Sequence, residues 1–282
     1  MVRKNVRGRL LMLKLTCTLA ITTALLLTAP MALAEETVTF ELRTAADGMA
    51  VCPGDTVAWE IWINITTTNN EGLALACVDL VQDGGNPAML NIPFADEIPA
   101  GMANFSRPEG ISNPGESGNS SGYIGVQRGV EGEKNLIQLG GGQNTFGAAG
   151  SSMGTNPNLV ANVAKGVDTL LVAGSFTAPA VAGSYTFSLQ NPIANTIAEL
   201  NTPPDHSPVE SAAVSFVTES ITFVIPRTGD LDGDGDIDLS DLAALLGSYG
   251  GASGFDCTNG DLDGDGDVDL SDLAALLGNY GT

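Results

Sequence analysis

The segment GDLDGDGDIDLSDLAALLGSYG, residues 229–250, returns 31 residues later as GDLDGDGDVDLSDLAALLGNYG, residues 260–281. The two copies differ only at Ile237/Val268 and Ser248/Asn279. Each begins with acids at loop positions 1, 3 and 5, glycine at 6, an apolar residue at 8 and a carboxylate at 12, the spacing of a calcium loop. In the first copy these are Asp230, Asp232, Asp234, Gly235, Ile237 and Asp241. In the second they are Asp261, Asp263, Asp265, Gly266, Val268 and Asp272. Calcium takes six to eight hard oxygen ligands, and a chain that wraps it must turn sharply after the third; glycine permits that turn. Position 7 (Asp236, Asp267) is expected to offer its backbone carbonyl. Position 9 (Asp238, Asp269) is expected to ligate directly or through water. Two calcium ions are the implied cofactors. A disordered acidic tail would have no reason to repeat its glycine and leucine positions in register.

One helix is predicted after each loop. Asp238 or Ser240 can cap the first. Leu239, Leu242, Leu245, Leu246 and Tyr249 then fall on one face, and Gly250 can stop the helix. The second copy repeats this with Leu270, Leu273, Leu276, Leu277, Tyr280 and Gly281. No helix is predicted before either loop. A strand and Pro226 precede the first, and a glycine-containing stretch, residues 251–259, precedes the second. Each unit is a loop with an exiting helix, half of a helix–loop–helix hand.

Two such half-hands in tandem resemble a type I dockerin domain, over residues 229–282. DLDGDGDIDLSDLAALLGSYG matches that family's D-x-[ND]-x-D-G-x-[IV]-x-x-x-D-L-x-x-L pattern, and the second copy matches it again. Family members also carry Asp at position 12, where other calcium loops use Glu. The resemblance implies a calcium-stabilised module that docks onto a cohesin-type domain of another protein. Carried over by position, the partner contacts are Leu239 and Ser240 in the first copy, and Leu270 and Ser271 in the second. The chain departs from many members, which have Ser-Thr at these positions and a basic pair late in the helix. Here Gly247-Ser248 and Gly278-Asn279 stand in place of that pair. Near identity of the copies implies two docking orientations related by an internal pseudo-twofold.

Upstream, residues 35–226 read as a mainly β domain. Val38, Phe40 and Leu42 alternate with polar residues. Val57, Trp59, Ile61, Ile63 and Ile65 recur at period 2. Leu73 to Val81 is apolar apart from Asp79, as expected of a strand buried on both faces. Further strands are predicted at Tyr123–Val126, Asn135–Leu139, Thr169–Phe176, Ser184–Leu189, Ala213–Val217 and Ile221–Ile225. Short strands separated by Gly/Pro/Asn clusters predict an antiparallel, jelly-roll-like β-sandwich. The glycine-, serine- and asparagine-rich residues 107–158 read as long loops. Residues 53–65 and 182–189 resemble strands of cohesin-like and carbohydrate-binding sandwiches. That likeness admits carbohydrate as a further ligand, with Trp62, opposite the apolar face, as the candidate stacking platform and Trp59 in the core.

Residues 1–34 have the basic, apolar and small-residue order of a secretory signal peptide, with cleavage expected near Ala34. The apolar run is shorter than a membrane-spanning helix needs. After cleavage, six basic residues face thirty-three acidic ones, a formal charge of −27. That excludes nucleic acid and anionic membranes as natural partners and suits a cation. An exported chain can form a disulfide. Of Cys52, Cys77 and Cys257, the two that share the β domain, Cys52 and Cys77, are the expected pair.

No catalytic constellation emerges. The only histidine, His206, lies in a proline-rich turn, and no nucleophile elbow is present. Glu41, Glu60, Asp79 and Glu97 are acids without the facing-pair signature of a glycosidase. The sequence therefore predicts a secreted, non-catalytic sandwich delivered to an extracellular assembly by a calcium-dependent tether. An extracellular polysaccharide-degrading enzyme on the same tether is the alternative.

Overall fold

A computed structural model describes residues 36–66, 69–90, 134–143, 160–200 and 208–282. The expected signal peptide, the strand Tyr123–Val126, most of the 107–158 loops, Glu97 and His206 lie outside them.

Among the described residues, nine strands form two sheets. One has the order β5-β2-β1-β8, from Thr169–Thr177, Thr56–Ile65, Thr37–Arg43 and Ala213–Thr218. The other has the order β4-β3-β6-β7, from Asn135–Gly142, Leu73–Gly84, Gly183–Ile197 and Val209–Ser211, with β9 (Ser220–Ile225) also pairing with β6. The period-2 residues of β1 and β2 point inward as expected: Val38, Phe40, Leu42, Val57, Trp59, Ile61, Ile63 and Ile65 are all buried. Trp59 leans on Gly174 of β5, where a Cβ would lie 2.3 Å from the indole. Only glycine fits beneath that ring. Tyr185, Phe187, Phe176 and Phe223 stack at centroid distances of 5.1–5.9 Å and fill the layer between the sheets. Stacked rings of this kind add to what their buried area already contributes.

The sandwich is not wholly antiparallel. β1 and β8 pair in parallel, from Thr37↔Ala213 to Glu41↔Thr218. Parallel neighbours need a crossover connection, and here β2 to β7 lie between them in the chain. No local sequence signal records such a pairing. β7 has three residues, all exposed, and shows no apolar alternation to read.

Two short helices follow the strands, α1 (Leu239–Ser248) and α2 (Leu270–Asn279). No helix precedes either loop, as expected. Residues Ala34 to Thr282 form one compact unit, so the acidic segment is not a free appendage. The expected Cys52–Cys77 bridge is absent. Cys52 is joined to Cys257, with the Cα atoms 5.6 Å apart, across 205 residues. Cys77 is buried in β3, within the other sheet from the Cys52 loop. The sequence expectation failed because membership of one sandwich does not bring a loop cysteine and a buried strand cysteine together.

This bridge closes a very long loop, and the entropy it removes from the unfolded chain is correspondingly large. Replacing Cys52 and Cys257 by serine is expected to lower unfolding stability by roughly 2–5 kcal/mol. Thermal melts without reductant check this; an unchanged midpoint would contradict the bridge.

Candidate metal centre

Each acidic loop folds around its last carboxylate. Asp241 is fully buried. Its Oδ1 accepts from the backbone N–H of Leu231 at 2.6 Å and of Asp232 at 3.1 Å, and its Oδ2 accepts from Asp238 N–H at 2.8 Å. Asp272 repeats this with Leu262, Asp263 and Asp269 at 2.6, 3.2 and 2.7 Å. The short Asp side chain at position 12 thus ties the start of the loop to its end. It also completes a capping box: Asp238 caps α1 through Ser240 N–H at 2.7 Å, and Asp269 caps α2 through Ser271 N–H at 2.6 Å. Of the two caps considered from sequence, Asp238 serves and Ser240 does not.

The loop aspartates gather in threes. Asp230, Asp232 and Asp234 bring carboxylate oxygens within 4.8 Å of one another, as do Asp236, Asp238 and Asp241. The second loop repeats both groups with Asp261, Asp263, Asp265 and Asp267, Asp269, Asp272. The twelve aspartates expected as ligands thus fall into four groups of three, two per loop. Position 7, expected to contribute its carbonyl, has its side chain grouped with positions 9 and 12. Gly235 and Gly266 both take φ of 94°, the left-handed turn that the sixth position requires.

Every donor in these groups is a carboxylate oxygen, the hard ligand that suits calcium. Among the described residues, the ion pairs belong to Arg43, and none reaches either loop. Asp267 Oδ1 is sealed from solvent and has no hydrogen-bond donor. A buried, unpartnered carboxylate oxygen is costly and calls for a cation. The residues therefore fit a divalent ion in each loop.

Crowding also moves the carboxyl groups. Asp232 and Asp263 are held above the usual carboxylate range by desolvation, then by repulsion from neighbouring aspartates. Asp267 is raised by the same two causes. Asp236 is raised chiefly by the charge of Asp234. Burial pulls Asp241 upward too, but backbone N–H donors overcome this and hold it below the ordinary range.

The helices cross-brace the two loops. Gly250 N–H donates to Val268 O at 2.8 Å, and Gly281 N–H donates to Ile237 O at 2.8 Å. Position 8 of each loop is thereby bound to the glycine that ends the opposite helix. Ile237, Val268, Leu245 and Leu276 form the small core. The expected single apolar face is in fact divided. Leu245 and Leu276 are buried, whereas Leu239 and Leu270 are each 67% exposed, Leu246 and Leu277 each 53%, and Tyr249 and Tyr280 47% and 46%. Ten-residue helices sharing so small a core can bury only one row of side chains. Ser240 and Ser271 are exposed beside the outward leucines.

On the sandwich, three of the acids considered for catalysis, Glu41, Glu60 and Asp79, have structural partners. Glu41 bonds Arg43, and Glu60 accepts from Trp62 Nε1 at 2.7 Å. Asp79 is in the other sheet, accepting from Gln138 N–H and Asn191 Nδ2. The Arg43 guanidinium lies 4.8 Å from the centre of the Trp62 ring, so cation–π packing occupies the candidate stacking platform.

Sequence reading missed Arg227. Its guanidinium bonds Gly235 O at 2.7 Å and Thr282 O at 3.2 Å, joining the first loop to the end of the chain. Its standing as the last basic residue of the sequence was the available signal.

No family model matches the chain, and no curated protein matches it. Among solved structures, the chain is similar to the seventh ScaB type I cohesin from Pseudobacteroides cellulosolvens, at 14% identity, over 68% of this chain and 96% of that chain, with a TM-score of 0.38. It is similar to a non-cellulosomal cohesin from the hyperthermophilic archaeon Archaeoglobus fulgidus, at 10% identity, over 68% and 92%, with a TM-score of 0.31. It is also similar to a chain of the complex between the sixth cohesin of scaffoldin B from Acetivibrio cellulolyticus and Cel5 dockerin, at 11% identity, over 64% and 99%, with a TM-score of 0.31.

The raised aspartates set a pH dependence for the metal-free chain. A carboxyl raised in the folded state binds its proton more tightly there than in the unfolded chain. Its stabilisation is present below the ordinary carboxylate range and is lost as pH rises through the raised value. Asp241 acts oppositely, contributing above the ordinary range and losing its contribution as pH falls through its lowered value. With four groups raised, helix melting in chelator is expected to occur at a higher temperature at pH 5 than at pH 7.5, and calcium is expected to remove that trend. A metal-free midpoint that falls between pH 7.5 and 5 would contradict it.

Proposed function

We propose that this protein is exported and acts as a non-catalytic β-sandwich module held in an extracellular or cell-surface assembly by its C-terminal segment. Residues 229–282 bind two calcium ions and dock onto a cohesin-type domain of another protein. One observation carries this reading: the same apolar stripe faces solvent twice. Leu239, Leu246 and Tyr249 are exposed on one repeat, and Leu270, Leu277 and Tyr280 on the other, to nearly identical extents. Keeping large apolar side chains in water is unfavourable, and duplicated exposure of this kind marks a contact surface. The stripes include Leu239 and Leu270, the positions that the dockerin resemblance assigns to the partner.

The loops support the helices from beneath. Asp241 and Asp272 hold both the ligand groups and the helix caps. Calcium, when bound, supplies the positive charge that lets six carboxylates share one loop. Helix order and metal occupancy are thereby coupled.

A second reading has its own support. The Cys52–Cys257 bridge and the Arg227 clamp tie the segment to the sandwich, as an intramolecular calcium clamp would require. Such a clamp gives no reason for the exposed stripes.

Binding of the full chain to an immobilised cohesin-type domain, in calcium and in chelator, separates the two. Docking predicts calcium-dependent capture. Changing Leu239, Ser240, Leu270 and Ser271 together to alanine is expected to weaken it by about 100-fold or more. Changing either pair alone is expected to cost far less, because the other repeat presents the same face. No capture by cohesin-type domains in calcium, from a chain whose helices are formed, would leave the clamp as the better account.

A further inference from the structure

The two loops carry the same twelve-residue ligand pattern, yet their surroundings differ in charge, burial and anchoring. From that asymmetry we infer that the loops bind calcium unequally: loop 2, residues 261–272, is the tighter site and fills first, and loop 1, residues 230–241, fills last. The inference rests on the calcium reading above.

Charge is the first difference. Arg227 places its guanidinium on loop 1, 2.7 Å from the carbonyl of Gly235 at the sixth position. The equivalent residue before loop 2 is Thr258, and no basic residue follows Arg227. A fixed positive charge on the loop opposes a divalent cation. Loop 2 borders a cleft of about 690 Å³ that it shares with Asp55 of the sandwich, with Asp256 and with Arg227, whose hydrogen bonds nevertheless go to Gly235 of loop 1 and to Thr282. Both acids add negative potential on the side of Asp261, Asp263 and Asp265.

Burial is the second difference. Asp267 Oδ1 is sealed from solvent without a donor, whereas its counterpart Asp236 is exposed. A cation in loop 2 relieves an unpaired buried oxygen, and one in loop 1 displaces water from a hydrated carboxylate. The gain on binding is larger in loop 2.

Anchoring is the third. Both loops have a backbone anchor at their first position, Asp230 N–H donating to Arg227 O at 3.0 Å and Asp261 N–H donating to Asp256 O at 3.1 Å. The approach to loop 2 is further fixed by the Cys52–Cys257 bridge and by Asp256 accepting from Thr258 N–H at 2.9 Å. Within the loop, Gly266 N–H donates to Asp261 Oδ2 at 2.9 Å. A loop already ordered loses less conformational entropy on closing around an ion.

The test is a calcium titration of the full, disulfide-bonded chain followed by the backbone amide resonances of Gly235 and Gly266, the sixth-position glycines. The Gly266 signal is expected to complete its change first, with an affinity at least about fivefold above that reported by Gly235. An Arg227→Gln variant is expected to tighten loop 1 several-fold and loop 2 by less, narrowing the gap between them. Parallel changes of the two glycines, or Gly235 leading, would overturn the inference while leaving calcium binding intact. No change at either glycine would overturn the calcium reading itself, and the inference with it.

Discussion

Repulsion among carboxylates is the constraint on which the C-terminal segment depends. Each twelve-residue loop holds six aspartates, and among the described residues no lysine or arginine pairs with them. A chain can hold so many like charges together only with backbone donors or with a cation. Asp241 and Asp272 take the first route, each accepting three backbone N–H groups from the loop it closes. The remaining aspartates stay crowded, and four of them are pushed toward their protonated forms. Those same closing carboxylates complete the capping boxes of α1 and α2. Metal site, loop closure and helix start therefore share one side chain per repeat, and neither helix can be ordered independently of its loop.

The sandwich supplies an anchored support for this segment. Its inward alternation and stacked aromatics build a dry core. The Cys52–Cys257 bridge then fixes the second loop beside the turn that leads into β2. Arg227 joins the first loop to Thr282. The outward stripes on α1 and α2 are left uncovered by either connection. Anchoring one side of a small module while leaving the opposite helices bare suits a surface that must present itself in a defined direction.

Local patterns were legible in the sequence, and non-local ones were not. The period-2 runs at Val38–Leu42 and Val57–Ile65 and the loop–helix order of both repeats could be read directly. The grouping of the loop aspartates could be read as well, because it is set by residues close in sequence. The parallel β1–β8 pair and the 205-residue bridge could not, since each depends on how distant segments meet. The division of the helical leucines also escaped. Whether a leucine is inside depends on the opposing helix, and two ten-residue helices fully bury only Leu245 and Leu276 beside Ile237 and Val268, with Leu242 and Leu273 partly buried against them.

The central claim is that two calcium ions, one per loop, complete this segment. Native mass spectrometry of the full chain, exchanged from chelator into dilute calcium, counts them directly. The account predicts a species with two bound ions, replaced by the metal-free chain when chelator is restored. A chain that takes up no calcium, or that remains fully helical and metal-free under these conditions, would contradict it.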